Sequence, residues 1–194
     1  MSKHIANFNV GASFRARWRP GAISFSPSAA LALLLVAAFM LIGARFGKLY
    51  SDTGAGFAIR PPSGWYYLNK SRSYHVRFYD KNYEAFIIID STPTDGRVMI
   101  DDEFEDFIKV QNNKIKHSVP SFKVVETRLV SVNGQRSLRT KATFKAGSNK
   151  VGMKIYYLPA EDQVFILTTI CPLAASSSWD RVFNETLGTF TLLE

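Results

Sequence analysis

Cysteine and recognisable catalytic motifs are scarce in this sequence of 194 residues. The single cysteine, Cys171, excludes an internal disulfide and does not by itself indicate a compartment. The chain has no Gly-rich phosphate loop, no Gly-x-Ser-x-Gly or His-Glu-x-x-His motif, and no zinc-ligand spacing. We therefore predict that the protein is not an enzyme, with no catalytic residues and no cofactor or metal.

Acidic residues are missing from the first quarter of the chain. Residues 1–51 contain six of the 24 basic residues and no Asp or Glu, which leaves 18 basic against 16 acidic residues in the remainder. The net charge of +8 therefore belongs mainly to the N-terminal segment. Because a nearly neutral domain does not suit a phosphate backbone, we predict no nucleic-acid partner.

A long apolar run, ALALLLVAAFMLIGA, occupies residues 30–44 without a polar side chain. As a helix, residues 29–44 would cover about 24 Å at roughly 1.5 Å per residue, somewhat less than a hydrocarbon core of about 30 Å. Extending the helix to residues 25–46 supplies the missing length. We predict a retained transmembrane helix there. A cleaved signal peptide, a transit peptide followed by an inner-membrane helix, and a buried core helix remain alternatives.

The basic residues around the run indicate its orientation. Four precede it and two follow it: Lys3, Arg15, Arg17, Arg19, and then Arg45 and Lys48. The positive-inside rule places the N-terminus in the cytoplasm and the chain from about residue 50 outside it. We therefore predict a single-pass protein of the cell inner membrane, with its C-terminal domain on the periplasmic side.

Residues 1–24 form a basic, aromatic tail that we predict to be cytoplasmic. One interpretation is attachment to the anionic lipid surface, since basic residues are attracted there. The other is a docking arm on a partner protein, because aromatic residues and arginine are common interface anchors. The candidate partner-binding residues in the tail are Phe14, Arg15, Arg17, Trp18 and Arg19.

Residues 47–55 are predicted to form a Gly-containing linker, with Tyr50 as an interfacial aromatic residue, and residues 56–194 to form the folded extracytoplasmic domain. Alternating apolar residues and turn signals predict antiparallel strands, and helical spacing predicts two helices. The apolar run Phe86 to Ile89 predicts a central strand covered on both faces. The predicted fold class is α+β, an antiparallel sheet covered by two helices. The strand candidates begin at 57, 74, 85, 122, 135, 150, 163 and 189, and the helix candidates cover 101–119 and 176–190.

Aromatic residues crowd into one part of the domain. Strand alternation implies that not all of them can be buried, and exposed tyrosines near arginine favour a protein-binding face. We take Trp65, Tyr66, Tyr67 and Tyr79 as candidate partner-binding residues. The alternative is a mixture of core residues and scattered surface residues.

Other polar residues have ordinary structural interpretations. His75 lies on a polar strand face and His117 at a helix C-terminus, where a cation is favoured. The acids at positions 101–106 suit the first turns of a helix. Cys171, at a strand end, is interpreted as a buried, inert thiol.

Several segments of the domain resemble the PsbP-like fold family, the extrinsic photosystem II proteins and their bacterial relatives. They are FAIRPPSGW, VSVNGQRSLRTKATF, VFILTTICP and SSWDRVFNETLGTF, and the resemblance covers about residues 56–192. The resemblance implies an αβα sandwich that is mostly non-enzymatic and sits on membrane complexes. It also implies a photosynthetic membrane, with the domain in the lumen, as the alternative location. The plant-type members are soluble in the lumen, whereas this chain carries a predicted anchor.

The leading hypothesis is a membrane-anchored accessory subunit that stabilises or assembles a larger membrane protein complex, photosynthetic or respiratory in kind. Its partners would be the lipid bilayer and that complex. The alternatives are a ligand-binding or enzymatic periplasmic domain, and an envelope or export factor that handles unfolded clients.

Overall fold

The computed structural model describes residues 46–71, 73–82, 84–94 and 102–193. The predicted tail at 1–24 and all but the last residue of the predicted span at 25–46 lie outside these residues. Among the described residues, no helix is both long enough and apolar enough to cross a membrane. The described chain forms an α+β fold.

Strands outnumber helices in the described part of the chain. In chain order the elements are β1 (Tyr50–Asp52), β2 (Phe57–Ile59), β3 (Tyr66–Ser71), β4 (Tyr74–Tyr79), β5 (Phe86–Pro93), α1 (Asp102–Ser118), β6 (Lys123–Val132), β7 (Gln135–Ala146), β8 (Asn149–Pro159), β9 (Gln163–Pro172), α2 (Ser176–Leu187) and β10 (Thr191–Leu192).

Seven of the described strands form one antiparallel sheet in the order β3-β4-β5-β9-β8-β7-β6. Strands β6 to β9 are a meander. Its first turn has positive φ at both Asn133 (48°) and Gly134 (80°), the combination that a tight hairpin turn requires. The four strands predicted for this meander agree with the observed bounds to within one residue.

A second sheet joins β1, β2 and β10 in the described part of the chain. The segment predicted as a linker, residues 47–55, therefore contains a strand and its turn. The Tyr50 ring packs against Phe57 and Phe78, at centroid distances of 6.0 and 5.5 Å. The segment therefore packs against the domain. Tyr50 is part of the core packing and is not an isolated residue at the membrane interface.

The large sheet has a core on each face. On one face, α2 and the small sheet bury a cluster that includes Phe57, Phe78, Phe165 and Phe183. On the other face, Phe104 and Ile108 of α1 pack over residues of β7, β8 and β9. The two helices therefore lie on opposite faces, in an αβα arrangement, and the two faces are covered to different extents.

Candidate protein-binding surface

The register of the large sheet shows which residues lie beside α1. Residues directly opposite each other in antiparallel strands project from the same face. One such row runs from Tyr66 through Tyr79, Phe86 and Ile170 to Met153. Met153 belongs to the core beneath α1. Tyr66, Tyr79 and Phe86 therefore project from the α1 face.

A second row on the same face runs from Leu68 through Arg77 and Ile88 to Thr168 and Ile155. Ile155 is fully buried beneath α1, whereas Ile88 is only half-buried and Leu68 is exposed. We call Tyr66, Leu68, Tyr79, Phe86 and Ile88 the open half-face. None of these five belongs to either core cluster of the described residues.

The open half-face exposes large apolar and aromatic side chains to solvent. Tyr66 is 57% exposed and Leu68 is 40% exposed. The Tyr66 and Tyr79 rings stack with centroids 5.8 Å apart. The Arg77 guanidinium lies 5.4 Å from the Tyr74 ring centroid, which adds a cation of the kind enriched at interfaces.

A groove of about 510 Å³ extends this surface toward the ends of β7, β8 and β9. Its wall joins Phe86 and Ile88 of the open half-face to Phe144, Val151 and Ile170. These side chains are all half-buried, so each keeps apolar atoms available for contact. The groove makes the aromatic surface concave instead of flat.

Strand β3 is also an edge of the large sheet, and all six of its residues are exposed. An edge strand offers unpaired backbone groups to another extended chain. The opposite edge, β6, exposes Val124, Val125 and Leu129. That edge carries two features that discourage pairing: an irregularity in register between Val124 and Glu126, and ion pairs from Glu126 to two arginines.

The candidate residues of the domain separate onto two faces. Tyr66 and Tyr79 come together on the open half-face. Trp65 turns toward α2, with its ring 5.8 Å from Trp179 and 6.5 Å from Phe183. Tyr67 is 52% exposed but projects from the other face, where its ring meets Tyr50 edge-on at 5.5 Å. The tail candidates Phe14, Arg15, Arg17, Trp18 and Arg19 lie outside the described residues.

Sequence reasoning did not identify Leu68, Phe86 and Ile88 as surface residues. The run from Phe86 to Ile89 predicted a strand covered on both faces. In the structure Ile87 and Ile89 are fully buried, but Phe86 and Ile88 are only half-buried. The available signal was in the neighbouring strand, because Arg77 and Tyr79 alternate with buried Val76 and Phe78 and indicate a partly solvated side.

The histidines have separate local partners. His75 Nε2 lies 2.9 Å from Ser91 Oγ, and His117 Nδ1 lies 2.6 Å from the Asn113 carbonyl oxygen within α1. Among the described residues, no group of three or more His, Cys, Asp or Glu side chains is placed to hold a metal ion.

The titratable groups inside the fold are shifted mainly by burial. Burial, and to a lesser extent the Asp180 carboxylate, raise the pKa of the Cys171 thiol, so the neutral thiol is favoured. Burial also raises the pKa of the Asp90 carboxyl, against an opposing hydrogen bond from the Ser91 amide. Lys154, mostly buried, pairs with Asp180 of α2 at 2.6 Å. The pKa shifts of Cys171 and Asp90 have the direction expected for buried structural acids.

Comparison with known structures defines the class of domain. The fold matches cyanobacterial PsbP (CyanoP) from Synechocystis sp. PCC 6803 at a TM-score of 0.60 and 15% identity, over 77% of this chain and 93% of that one. It matches LpqN of Mycobacterium tuberculosis, which is involved in cell envelope biogenesis, at a TM-score of 0.52 and 15% identity, over 81% and 96%. It also matches the Saccharomyces cerevisiae Ran-binding protein Mog1p at 0.52 and 12%, over 76% and 95%.

These matches show that the described domain has the PsbP-like fold. A further match, to a Bacteroides thetaiotaomicron protein at a TM-score of 0.55 and 16% identity, involves 76% of this chain but spans only about half of that protein, 49%. No protein-family model matches the chain by sequence, and no curated protein does so either. The likeness therefore concerns the fold, which does not by itself specify a function.

Proposed function

We propose that this protein is a non-catalytic, membrane-anchored accessory subunit that docks on a larger membrane protein complex through the open half-face. The observation that carries the proposal is that half of one sheet face is left uncovered by α1. There Tyr66 and Leu68 are exposed beside half-buried Phe86 and Ile88. Contiguous apolar surface with aromatic residues and an arginine is typical of a recognition site.

The anchoring part of the proposal rests on the sequence. The apolar run at 30–44 supplies a membrane span over 25–46, and the basic residues before it favour a cytoplasmic N-terminus. The domain would then lie in the periplasm or lumen. Confinement to a membrane raises the effective concentration of the domain near a membrane-embedded partner, so a modest interface is sufficient.

The non-catalytic part of the proposal rests on the candidate chemical groups. The Cys171 thiol is buried and its pKa is raised, which opposes thiolate formation. His75 and His117 lie in different elements and contact different partners. The PsbP-like fold of CyanoP supports a photosynthetic or respiratory complex as the partner class, by analogy of fold.

Copurification from detergent-solubilised membranes tests the proposal. Tagged full-length protein should recover a fixed set of partner chains, identified by mass spectrometry. Leu68→Glu places a charge on the edge strand of the open half-face and should reduce partner recovery at least about tenfold, as expected when a desolvated interface loses more than about 1.4 kcal/mol.

Leu129→Glu is the matched control, because Leu129 is 49% exposed on the opposite edge strand. It should leave partner recovery unchanged. Both variants should show the same unfolding midpoint as the parent protein. Recovery of the parent as a lone monomer, or equal loss of partners in both variants, would contradict the proposal.

An envelope factor that handles unfolded clients is the second candidate. Its support is the fold shared with LpqN together with the exposed edge of β3, which would accept an extended chain. Under this candidate, pull-down would recover a heterogeneous set of substoichiometric chains. A single stoichiometric complex would exclude it.

A further inference from the structure

An aromatic pocket opens where the described chain begins, away from the open half-face. It has a volume of about 450 Å³, and its walls include Phe46, Trp65, Trp179 and Val182. The indole rings of Trp65 and Trp179 meet edge-on at 5.8 Å, and Trp179 also stacks on Phe183 at 6.1 Å. Two tryptophans are thus fixed at one rim by the packing of α2 on the sheet.

Phe46 is held in the pocket wall by backbone pairing. It forms an antiparallel bridge with Pro62, and the Gly47 amide donates a hydrogen bond of 2.7 Å to the Pro61 carbonyl oxygen. Phe46 is also the last residue of the predicted span at 25–46. The last residue of that predicted helix is therefore paired with the folded domain in a β-bridge, and the first residue of the predicted linker is hydrogen-bonded to it.

Basic side chains flank the same rim. Lys48 and Arg60 are both exposed. They lie on two neighbouring stretches of chain, between the Phe46–Pro62 bridge and the Tyr50–Ile59 pair. Leu49, which lies between Lys48 and β1 in the chain, is 53% exposed. Arg181, at the pocket rim, pairs with Glu185 at 2.8 Å and so contributes little net charge.

We propose that this rim rests in the headgroup region of an anionic membrane, with Trp65, Trp179 and Leu49 toward the acyl boundary and Lys48 and Arg60 among the headgroups. The inference rests on the proposed membrane anchor. Tryptophan favours the membrane interface because its ring is apolar and its N–H is polar, and lysine and arginine are attracted to anionic headgroups. Contact with lipid on this rim leaves the open half-face as a separate surface for protein.

Quenching of tryptophan fluorescence by brominated lipid tests this contact. The full-length Trp18→Phe variant retains only Trp65 and Trp179, since the chain has three tryptophans. Reconstituted in phosphatidylcholine–phosphatidylglycerol vesicles brominated at a shallow acyl position, it should lose emission relative to unbrominated vesicles. The vesicles hold only lipid and this chain, so a second protein cannot cause the loss.

A tryptophan placed elsewhere supplies the control. Leu129→Trp, in a background with all three native tryptophans changed to Phe, reports from the β6 edge on the α1 face and should not be quenched.

Charge reversal tests the basic side chains of the rim. Lys48→Glu with Arg60→Glu should reduce the quenching of Trp65 and Trp179. Lys145→Glu with Lys150→Glu, at two exposed positions flanking the β7–β8 turn, should not.

Alkaline carbonate extraction of the same vesicles separates the two ways to fail. Retention with selective quenching supports the inference. Retention without quenching, or with equal quenching of the Leu129→Trp reporter, overturns the lipid contact and leaves the anchor intact. Release by carbonate overturns the anchor, and the inference with it.

Discussion

The two halves of the α1 face differ although the same strand chemistry builds both. Beneath α1, Ile155 and Tyr157 are fully buried. A few strands away on the same face, Tyr66 and Leu68 are 57% and 40% exposed. We call the part under α1, which includes Leu138, Ala142, Met153, Ile155 and Tyr157, the covered half-face. Its residues stabilise the fold, whereas equally apolar residues on the open half-face contribute much less to stability and remain available for binding.

Removing a large side chain that packs on the covered half-face should have the largest effect. Phe104→Ala deletes a ring of α1 that is 1% exposed, and should lower the free energy of unfolding by about 3–5 kcal/mol. Urea unfolding followed by circular dichroism measures the change. Val110→Ala on the same helix, at a 52% exposed position, should cost less than about 0.5 kcal/mol. Equal costs for the two variants would contradict the assignment of covered and exposed helix faces.

The reaction rates of thiols at a buried position, 171, and at an exposed position on the open half-face, 68, can be compared directly. Cys171 is 4% exposed and its thiol pKa is raised by burial, so at pH 8 it should react with a disulfide reagent at least about a hundredfold more slowly than a free surface thiol. Leu68→Cys in a Cys171→Ala background supplies that surface thiol on the open half-face. Comparable rates for the two proteins would show that Cys171 is accessible.

Truncation on the open half-face should have a small effect on stability. Tyr66→Ala removes a stacked ring from an exposed position, and should cost less than about 1.5 kcal/mol in the free energy of unfolding. The same variant should lose partner recovery in the copurification experiment. A cost near that of Phe104→Ala would mean that the open half-face is a structural core.

The smallest expected effect concerns Asp90, which lies in β5 on the α1 face. Because burial raises its pKa in the folded state, the folded state holds the proton more tightly than the unfolded chain does. This group therefore favours folding at low pH, and that contribution is lost as pH rises from about 4 through the folded-state pKa. Asp90→Asn keeps an oxygen for the Ser91 amide, so it should raise the urea midpoint at pH 7 and lose that gain below about pH 4. An unchanged or lower midpoint at pH 7 would contradict the shift.

The parts of the fold with strong local signals were predictable from sequence. Asn133-Gly134 between alternating runs predicted the β6–β7 hairpin, and the spacing of Trp179, Phe183 and Leu187 predicted α2. Strand β1 was missed because it has only three residues beside a Gly-containing turn. Its formation depends on packing of Tyr50 against Phe57 and Phe78, and Phe78 lies outside the local sequence around β1.

The candidate surface was predictable only in part. Composition identified an aromatic cluster but could not assign each ring to a face. Trp65 packs with Trp179 and Phe183, which come from a helix far along the chain. The exposure of Phe86 and Ile88 depends on how far α1 extends across the sheet. Local sequence does not encode that distance. The partner-binding candidates in the N-terminal tail lie outside the described residues and stay predictions.

The small sheet has a consequence for biosynthesis. Strand β2 pairs with β10, so Ala58 meets Thr191 across a sequence separation of 133 residues. During translation, this pairing of β2 cannot form until residue 191 has left the ribosome. If the apolar run enters the bilayer first, the rest of the chain crosses with Phe57 and Ala58 unpaired by β10. Until β10 has emerged, factors that hold translocating polypeptides could bind the unpaired residues of β2.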